Sequence, residues 1–227
     1  MSERMTVPPL PPVWPYAPRG ESGELQEVTS SLLGSGWVIC AKGGLLLEGE
    51  ARPLPEAFGR GGILQLGTIV VRPYRRGGML RHVNARIYAS PRRFRDEYVV
   101  HQALWTAGFP TVEPLGYGYR RRLWGVEGVF LTRLAEARPW PSCWHESARV
   151  LPQLHQLLDA LAAWGLHAPD LNATNVLMGS DGRVLALDWD RARWISGSDL
   201  KERYRRRLLR SLQKLQAPDA VIASFTS

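Results

Sequence analysis

His167-Ala-Pro-Asp170-Leu-Asn-Ala-Thr-Asn175-Val-Leu-Met178, followed after a short turn by Leu187-Asp188-Trp-Asp190, is the stretch that decides how this chain is read. Asp170 and Asn175 stand five residues apart in a loop, and Asp188 comes thirteen residues after Asn175. Between them lie two apolar runs, Val176-Leu-Met178 and Val184-Leu-Ala-Leu187, about a Gly179–Gly182 turn, which reads as a short hairpin. The loop presents a carboxylate and an amide to one place, and the hairpin carries Asp188 back beside Asn175. Taken singly, Asp170, Asn172 and Asn175 are common turn-formers and Asp188 a common strand-end acid. Together they suit phosphoryl transfer, which needs a carboxylate to orient an attacking hydroxyl and hard oxygen donors to hold magnesium against phosphates.

Outward from this loop, residues 146–164 place Val150, Leu151, Leu154, Leu157, Leu158, Leu161 and Trp164 at helical spacing before Gly165. The chain closes with an amphipathic basic helix over about 199–216, carrying Leu200, Tyr204, Leu208, Leu212 and Leu215 on one side. This helix suits either ordinary packing with a solvated face or docking at a membrane surface. The first half is different. Trp37–Cys40, Leu45–Leu47, Ile63–Leu66 and Thr68–Val71 are short apolar runs between glycines, too closely spaced for crossovers, and read as antiparallel strands. A helix over 91–107 begins at Ser90-Pro91 and stops at Gly108. Further strands are predicted at Pro114–Tyr119 and Gly128–Thr132. The expectation is an α+β chain: a flexible proline-rich lead-in (1–25), a strand-rich lobe (26–134) and a mainly helical lobe (135–227).

The chain has 227 residues, 44% hydrophobic and 22% charged, with no apolar run of membrane-spanning length and no apolar signal core near the start. Two cysteines without metal-ligand spacing fit a reducing compartment, so the expectation is cytoplasmic. The formal charge is +8, and only Lys42, Lys201 and Lys214 among the 29 basic residues are lysine. A GC-rich coding sequence would produce that bias without any function. The distribution says more: no acid lies between Glu56 and Asp96, an interval holding nine arginines. Such a block attracts phosphates, nucleic acid or an anionic membrane. Few aromatics interleave with these arginines, and no nucleic-acid module is visible, so a nucleic-acid partner is not expected.

Tyr74-Arg-Arg-Gly-Gly78, Arg93-Phe-Arg-Asp-Glu97, Gly108-Phe-Pro-Thr-Val112, Asp170-Leu-Asn-Ala-Thr-Asn175-Val-Leu and Leu187-Asp188-Trp-Asp-Arg191 together carry a resemblance. From about residue 34 to 215 the chain resembles the protein-kinase-like superfamily and, within it, the bacterial lipopolysaccharide core kinases. It is most similar to the 3-deoxy-D-manno-octulosonic acid (Kdo) kinase group. The resemblance implies a bilobal kinase fold with an antiparallel-sheet N-lobe and a helical C-lobe. It implies Asp170 as the catalytic carboxylate, Asn175 and Asp188 as magnesium ligands, and Glu97 as the helix acid that pairs with a strand cation. Glu97 shares a helical face with Phe94, Tyr98 and Leu104, and an acid on a core-facing stripe requires a cation.

Two positions depart from ordinary kinases. No lysine lies between Lys42 and Lys201, so Arg72, after Thr68-Ile-Val-Val71, stands where a lysine is usual. Arginine can meet phosphate and Glu97 with a planar fork. Lys42 comes too early in the strand series. His167 stands three residues before Asp170, not two, with Pro169 next to the aspartate, which favours a structural histidine; His101 and His155 read the same way. Gly59-Arg60-Gly61-Gly62 is either the ATP phosphate loop or a plain glycine-rich turn. The resemblance implies that the backbone around Thr132 and Leu134 meets adenine, and that Arg75, Arg76, Gly77 and Gly78 belong to a substrate loop. The implied reaction is transfer of phosphate from ATP, with Mg2+, to a sugar hydroxyl on an anionic glycolipid, a Kdo-bearing lipid A precursor. Peripheral contact with the cytoplasmic face of the inner membrane would follow. Another acceptor (a heptose, a protein or a small molecule) and a non-catalytic nucleotide- or RNA-binding role are the alternatives. Only about ten residues separate Asp188 from the terminal helix, too few for the long activation segment of a regulated protein kinase.

Overall fold

The structure, a computed structural model, describes residues 5–20, 23–30, 33, 35–43, 45, 47, 50–54, 62–75, 86–197 and 199–226. The chain divides into two compact units: a sheet unit, Gly20–Gln102 with Glu113–Leu134, and a helical unit, Met1–Arg19, Ala103–Val112 and Ala135–Ser227. The sequence reading placed 103–112 with the strand-rich half, whereas the structure groups it with the helical unit. No helix among the described residues is long and apolar enough to cross a membrane.

Among its described residues the sheet unit holds β1 (Leu25–Ser30), β2 (Trp37–Lys42), β3 (Arg52–Pro53), β4 (Leu64–Leu66), β5 (Ile69–Pro73), β6 (Pro114–Arg122) and β7 (Gly125–Arg133). They form one antiparallel sheet in the order β1-β2-β6-β7-β5-β4-β3. Alternation along each strand separates two cores. Val71, Val129 and Leu131 join Trp37, Ile39 and Ile69 on one face. Phe130, Tyr74 and Tyr117 join Tyr88, Phe94 and Tyr98 on the other. Phe94 and Tyr98 belong to helix α1 (Arg92–Thr106), which lies on that second face. Gly128 makes the close approach possible: a Cβ there would stand 2.3 Å from the Phe94 ring. Leu45 and Leu47, expected in a strand, lie in none; a turn after Lys42 breaks the ladder, and both side chains pack against the first core. β1 and β3 lay outside the sequence expectation.

The helical unit holds β8 (Ala137–Pro139), α2 (Ser147–Ala163), β9 (Leu166–His167), β10 (Val176–Gly179), β11 (Val184–Ala186), β12 (Arg193–Trp194), α3 (Leu200–Lys214) and α4 (Asp219–Ala223). The hairpin β10–β11 is antiparallel as predicted, and β8 joins it as a third strand. Helix α1 ends where the sequence indicates. Gly108 adopts φ +80°, Gly108 N–H donates to Trp105 O, and Phe109 N–H to Leu104 O, the glycine-terminated helix stop. In the lead-in, residues 5–20 form no helix or strand, yet Trp14 Nε1 donates to Ala107 O (2.7 Å) and Trp164 Nε1 to Pro8 O (3.3 Å). Arg19 stacks on Trp105 at 3.8 Å and donates to the carbonyls of Trp105 and Phe109. Its aromatic and arginine side chains tether a segment whose prolines keep it out of regular structure.

Gly128→Ala is expected to destabilise the protein by about 1–3 kcal/mol, because Phe94 is fully buried and has nowhere to go. Gly23→Ala, where a Cβ meets nothing within 4 Å, should stay within about 0.5 kcal/mol. Denaturant unfolding of both variants checks this.

Candidate active site

The pleat of β5 decides the first constellation. Val71 points into the first core, so Arg72 points to the opposite face, opposite Phe130 in the β5–β7 ladder and towards α1. On α1, Glu97 follows Phe94 by three residues and so shares its inward stripe; its side chain is 1% exposed. Arg72 forms an ion pair with Glu97 Oε1, and the hydroxyl of buried Tyr74 donates to Oε2. Both carboxylate oxygens are therefore answered, one by a cation and one by a neutral donor, as burial of a charge demands. The guanidinium also lies 5.4 Å from the Tyr74 ring and 5.7 Å from that of Phe130. One turn on, His101 stacks on Phe130 with ring centroids 5.5 Å apart. Lys42 is engaged elsewhere, 3.0 Å from Glu113. Burial raises the Glu113 carboxyl, but Lys42 and Arg133 outweigh it and hold the group below its ordinary value.

The second constellation lies wholly in the helical unit. Asn172 caps the 3-10 turn Ala173–Asn175, accepting from Thr174 N–H at 2.9 Å, and its Nδ2 donates to Asp170 O at 2.8 Å. Asn175 Nδ2 donates to the same carbonyl at 3.0 Å and lies 3.5 Å from Asp188 Oδ2. With the nitrogen so used, Oδ1 at the other branch of the planar amide is presented as a hard oxygen donor. Asp188 adopts φ +65°, the left-handed region, directly after the hairpin. Trp189 fixes that turn: it is fully buried, and its Nε1 donates to Thr111 Oγ1 at 3.1 Å. Thr111 in turn donates to Ala186 O at 2.7 Å.

Helix α3 holds the other side of the loop. Its apolar stripe, Leu200, Tyr204, Leu208 and Leu212, is buried, which resolves the terminal helix as a packed one on that face. The Tyr204 hydroxyl accepts from Ala168 N–H at 3.1 Å and donates to Leu166 O, bridging the approach to Asp170. Ser211 Oγ accepts from Ala173 N–H at 3.2 Å. Burial, with Arg203 and Arg193 nearby, lowers the His167 pKa from its ordinary value, as suits a structural histidine. Asp170 itself meets Arg191, with contacts of 2.7 to 3.0 Å, and Arg207 at 3.6 Å.

Comparison with known proteins assigns the chain. Residues 48–227 match the family model described as lipopolysaccharide kinase (Kdo/WaaP) family. The chain belongs to the lipopolysaccharide kinase (Kdo/WaaP) family. It is 31% identical over 197 residues to a 3-deoxy-D-manno-octulosonic acid kinase of Xylella fastidiosa (strain M12), covering 78% of this chain and 75% of the relative. The proteins of the same name from Xanthomonas campestris pv. campestris (strain B100) and Xanthomonas oryzae pv. oryzae (strain PXO99A) are 32% and 33% identical, each over 74% of this chain and 72% of theirs.

For this Kdo/WaaP family member, the sequence-predicted residues fall into three groups. Arg72 meets Glu97, and Asn175 lies between the Asp170 carbonyl and the Asp188 carboxylate. Thr132 pairs with Val70 in the sheet, and Leu134 N–H donates to Thr68 O at 2.8 Å, as Arg133 N–H does to Glu113 O. Those two amides are thus committed to the sheet unit. Gly62 adopts φ +80° and abuts the Arg75 guanidinium, a Cβ there falling 2.5 Å from Nη2. Gly59, Arg60, Gly61, Arg76, Gly77 and Gly78 lie outside the described residues. The roles of Thr111, Tyr204, Arg191 and Arg207 escaped sequence reasoning. Arg191 carried a signal, standing three residues after Asp188 in a glycine-free turn.

Arg72→Met, which strands a buried carboxylate, should destabilise the protein by about 3 kcal/mol; Arg72→Met with Glu97→Gln should cost less than that single change, as chemical denaturation will show. Tyr204→Phe should cost about 1–2 kcal/mol, since the Ala168 amide and Leu166 carbonyl lose a buried partner. It should also lower kcat more than KM for ATP in steady-state kinetics.

Proposed function

We propose that this protein is an ATP-dependent kinase of the Kdo sugar on a lipid A precursor, built as two lobes spanning roughly 26–134 and 135–227. The observation that carries the reading is the loop in which Asn175 clasps the Asp170 carbonyl and stands 3.5 Å from Asp188, in a chain of the Kdo/WaaP family. The relatives named as Kdo kinases support the acceptor.

The geometry suggests how the residues divide the work. A hydroxyl of the acceptor is oriented by Asp170, which takes its proton as the oxygen bonds to the γ-phosphorus. The bond from that phosphorus to the bridging oxygen breaks, and ADP leaves with the electron pair. Asn175 Oδ1 and the Asp188 carboxylate are the pair suited to Mg2+. Two protein oxygens fit an ion that keeps waters and takes phosphate oxygens for its remaining positions. Magnesium, when bound, supplies charge neutralisation at the phosphates. Arg72 is held on the inner sheet face by Glu97 and adds a fixed positive charge for phosphate, so catalysis consists mainly of positioning and electrostatics. Gly59, Arg60, Gly61 and Gly62 would form the phosphate loop. Thr132 and Leu134 would border adenine through groups other than the Leu134 amide. Arg75, Arg76, Gly77 and Gly78 would face the acceptor. The arginine block suits an anionic glycolipid and a peripheral position at the cytoplasmic face of the inner membrane.

Asp170→Asn and Asp188→Asn should each lower phosphate transfer by about a hundredfold or more while the protein stays folded. Mass spectrometry of a Kdo-bearing lipid A precursor incubated with ATP and Mg2+ should show the gain of one phosphate with the wild type and almost none with either variant. A wild type that modifies only Kdo-free lipid A, or no lipid at all, refutes the assignment.

A further inference from the structure

Asp170 is one carboxylate facing two guanidinium groups. Arg191 approaches through a single edge, Nε to Oδ2 at 3.0 Å and Nη2 to Oδ1 and Oδ2 at 2.7 Å. Arg207, on α3, stands 3.6 Å from Oδ1. A pair would balance; this trio carries a surplus positive charge beside the oxygens assigned to the attacking hydroxyl. Two cations on one acid recur on α3, where Arg205 and Arg206 share Glu202, while Arg203 pairs with Asp199. What sets this trio apart is its place: among the described residues Asp170 is the one carboxylate that Arg191 or Arg207 meets, and it is the carboxylate assigned to the acceptor.

Orienting Asp170 does not account for the arrangement. Asn172 and Asn175 already hold its backbone carbonyl, and its side chain is 21% exposed against 59% for Arg191 and 41% for Arg207. A guanidinium has more than one edge able to meet a carboxylate. Arg191 uses its Nε–Nη2 edge on Asp170, so the edge bearing Nη1 faces away from it, on a side chain open to solvent. Arg191 adopts φ +60°, the left-handed region that a non-glycine residue seldom takes.

We propose that Arg191, assisted by Arg207, is a specificity site for the acceptor's own carboxylate. The inference rests on the reading of Asp170 as the group that receives the hydroxyl proton. Because Arg191 is bonded directly to Asp170, a hydroxyl on Asp170 and a carboxylate on the outer edge of Arg191 would belong to one small acceptor. An acidic sugar can satisfy both at once; a neutral sugar of the same shape satisfies one and leaves the surplus charge unanswered. The site thus selects a sugar acid by placing a fork-shaped cation beside the base, and discrimination rests on a charge-assisted pair that only the acid completes.

The test compares the Kdo-bearing precursor with the same acceptor carrying a carboxamide in place of the carboxylate. For Arg191→Gln the KM for the acid acceptor is expected to rise about ten- to a hundredfold, with the KM for ATP unchanged, while the carboxamide acceptor is equally poor for wild type and variant. Arg191→Lys should recover part of the loss, and Arg207→Gln should show a smaller loss of the same kind, which also serves if Arg191→Gln does not fold. Equal losses on both acceptors would reduce Arg191 to a positioning residue and overturn the proposal; so would a rise confined to the KM for ATP. Calorimetric titration with Kdo itself and with its carboxamide separates this inference from the kinase reading. Carboxylate-dependent binding that disappears in Arg191→Gln supports the site whether or not phosphate is transferred, and its absence in the wild type refutes the site even in an active kinase.

Discussion

A carboxylate cannot be buried alone, and the inner face of the sheet unit is arranged around that constraint. Glu97 is enclosed because α1 turns the stripe that begins at Phe94 inward. Once enclosed, it requires a cation and a donor, and only strand parity can supply them. Arg72 and Tyr74 stand two apart on the same strand end, so one pleat delivers both to the same carboxylate. Gly128 lets Phe94 close on the sheet, which brings Glu97 within reach. Arg72 meets Glu97 as a cation while Tyr74 donates to the other carboxylate oxygen.

The helical unit solves a different problem, that of an irregular loop whose backbone groups need partners. Side chains from the loop itself and from α3 provide them. Asn172 and Asn175 converge on the Asp170 carbonyl, Ser211 receives the Ala173 amide, and Tyr204 bridges Leu166 and Ala168. Thr111 and Trp189 then lock the turn that carries Asp188 in a left-handed conformation. The loop's backbone groups are thus satisfied by side chains, without the ladder of a long helix or a sheet.

Much of this was legible in the chain. Periodicity located α2 and α3, the Ser90-Pro91 start and Gly108 stop located α1, apolar runs about a glycine turn located the β10–β11 hairpin, and Gly108 and Gly165 marked helix ends by conformational necessity. The Asp170-to-Asn175 spacing located the loop, and the inward stripe of α1 implied that Glu97 needed a cation. Elements of two or three residues, such as β3, β8, β9 and β12, were not legible, because their pairing comes from partners distant in sequence. The contacts of the lead-in were illegible for the same reason. Its prolines speak locally, but Trp14 and Arg19 act through the α1 terminus about ninety residues away.

The sequence by itself determined the arrangement of candidate groups along the chain: which loop bears the carboxylate and amide, which strand bears the arginine, and which family the motifs resemble. Spacing along one segment fixes what that segment can present, so such features survive without any knowledge of the rest. Tertiary structure decided which charges meet. That Arg72 reaches Glu97, that Lys42 is taken by Glu113, and that Asp170 is flanked by Arg191 and Arg207 depend on pleat parity and on the packing face of α3. An arginine-rich sequence offers many partners for each acid, and only the folded backbone chooses among them.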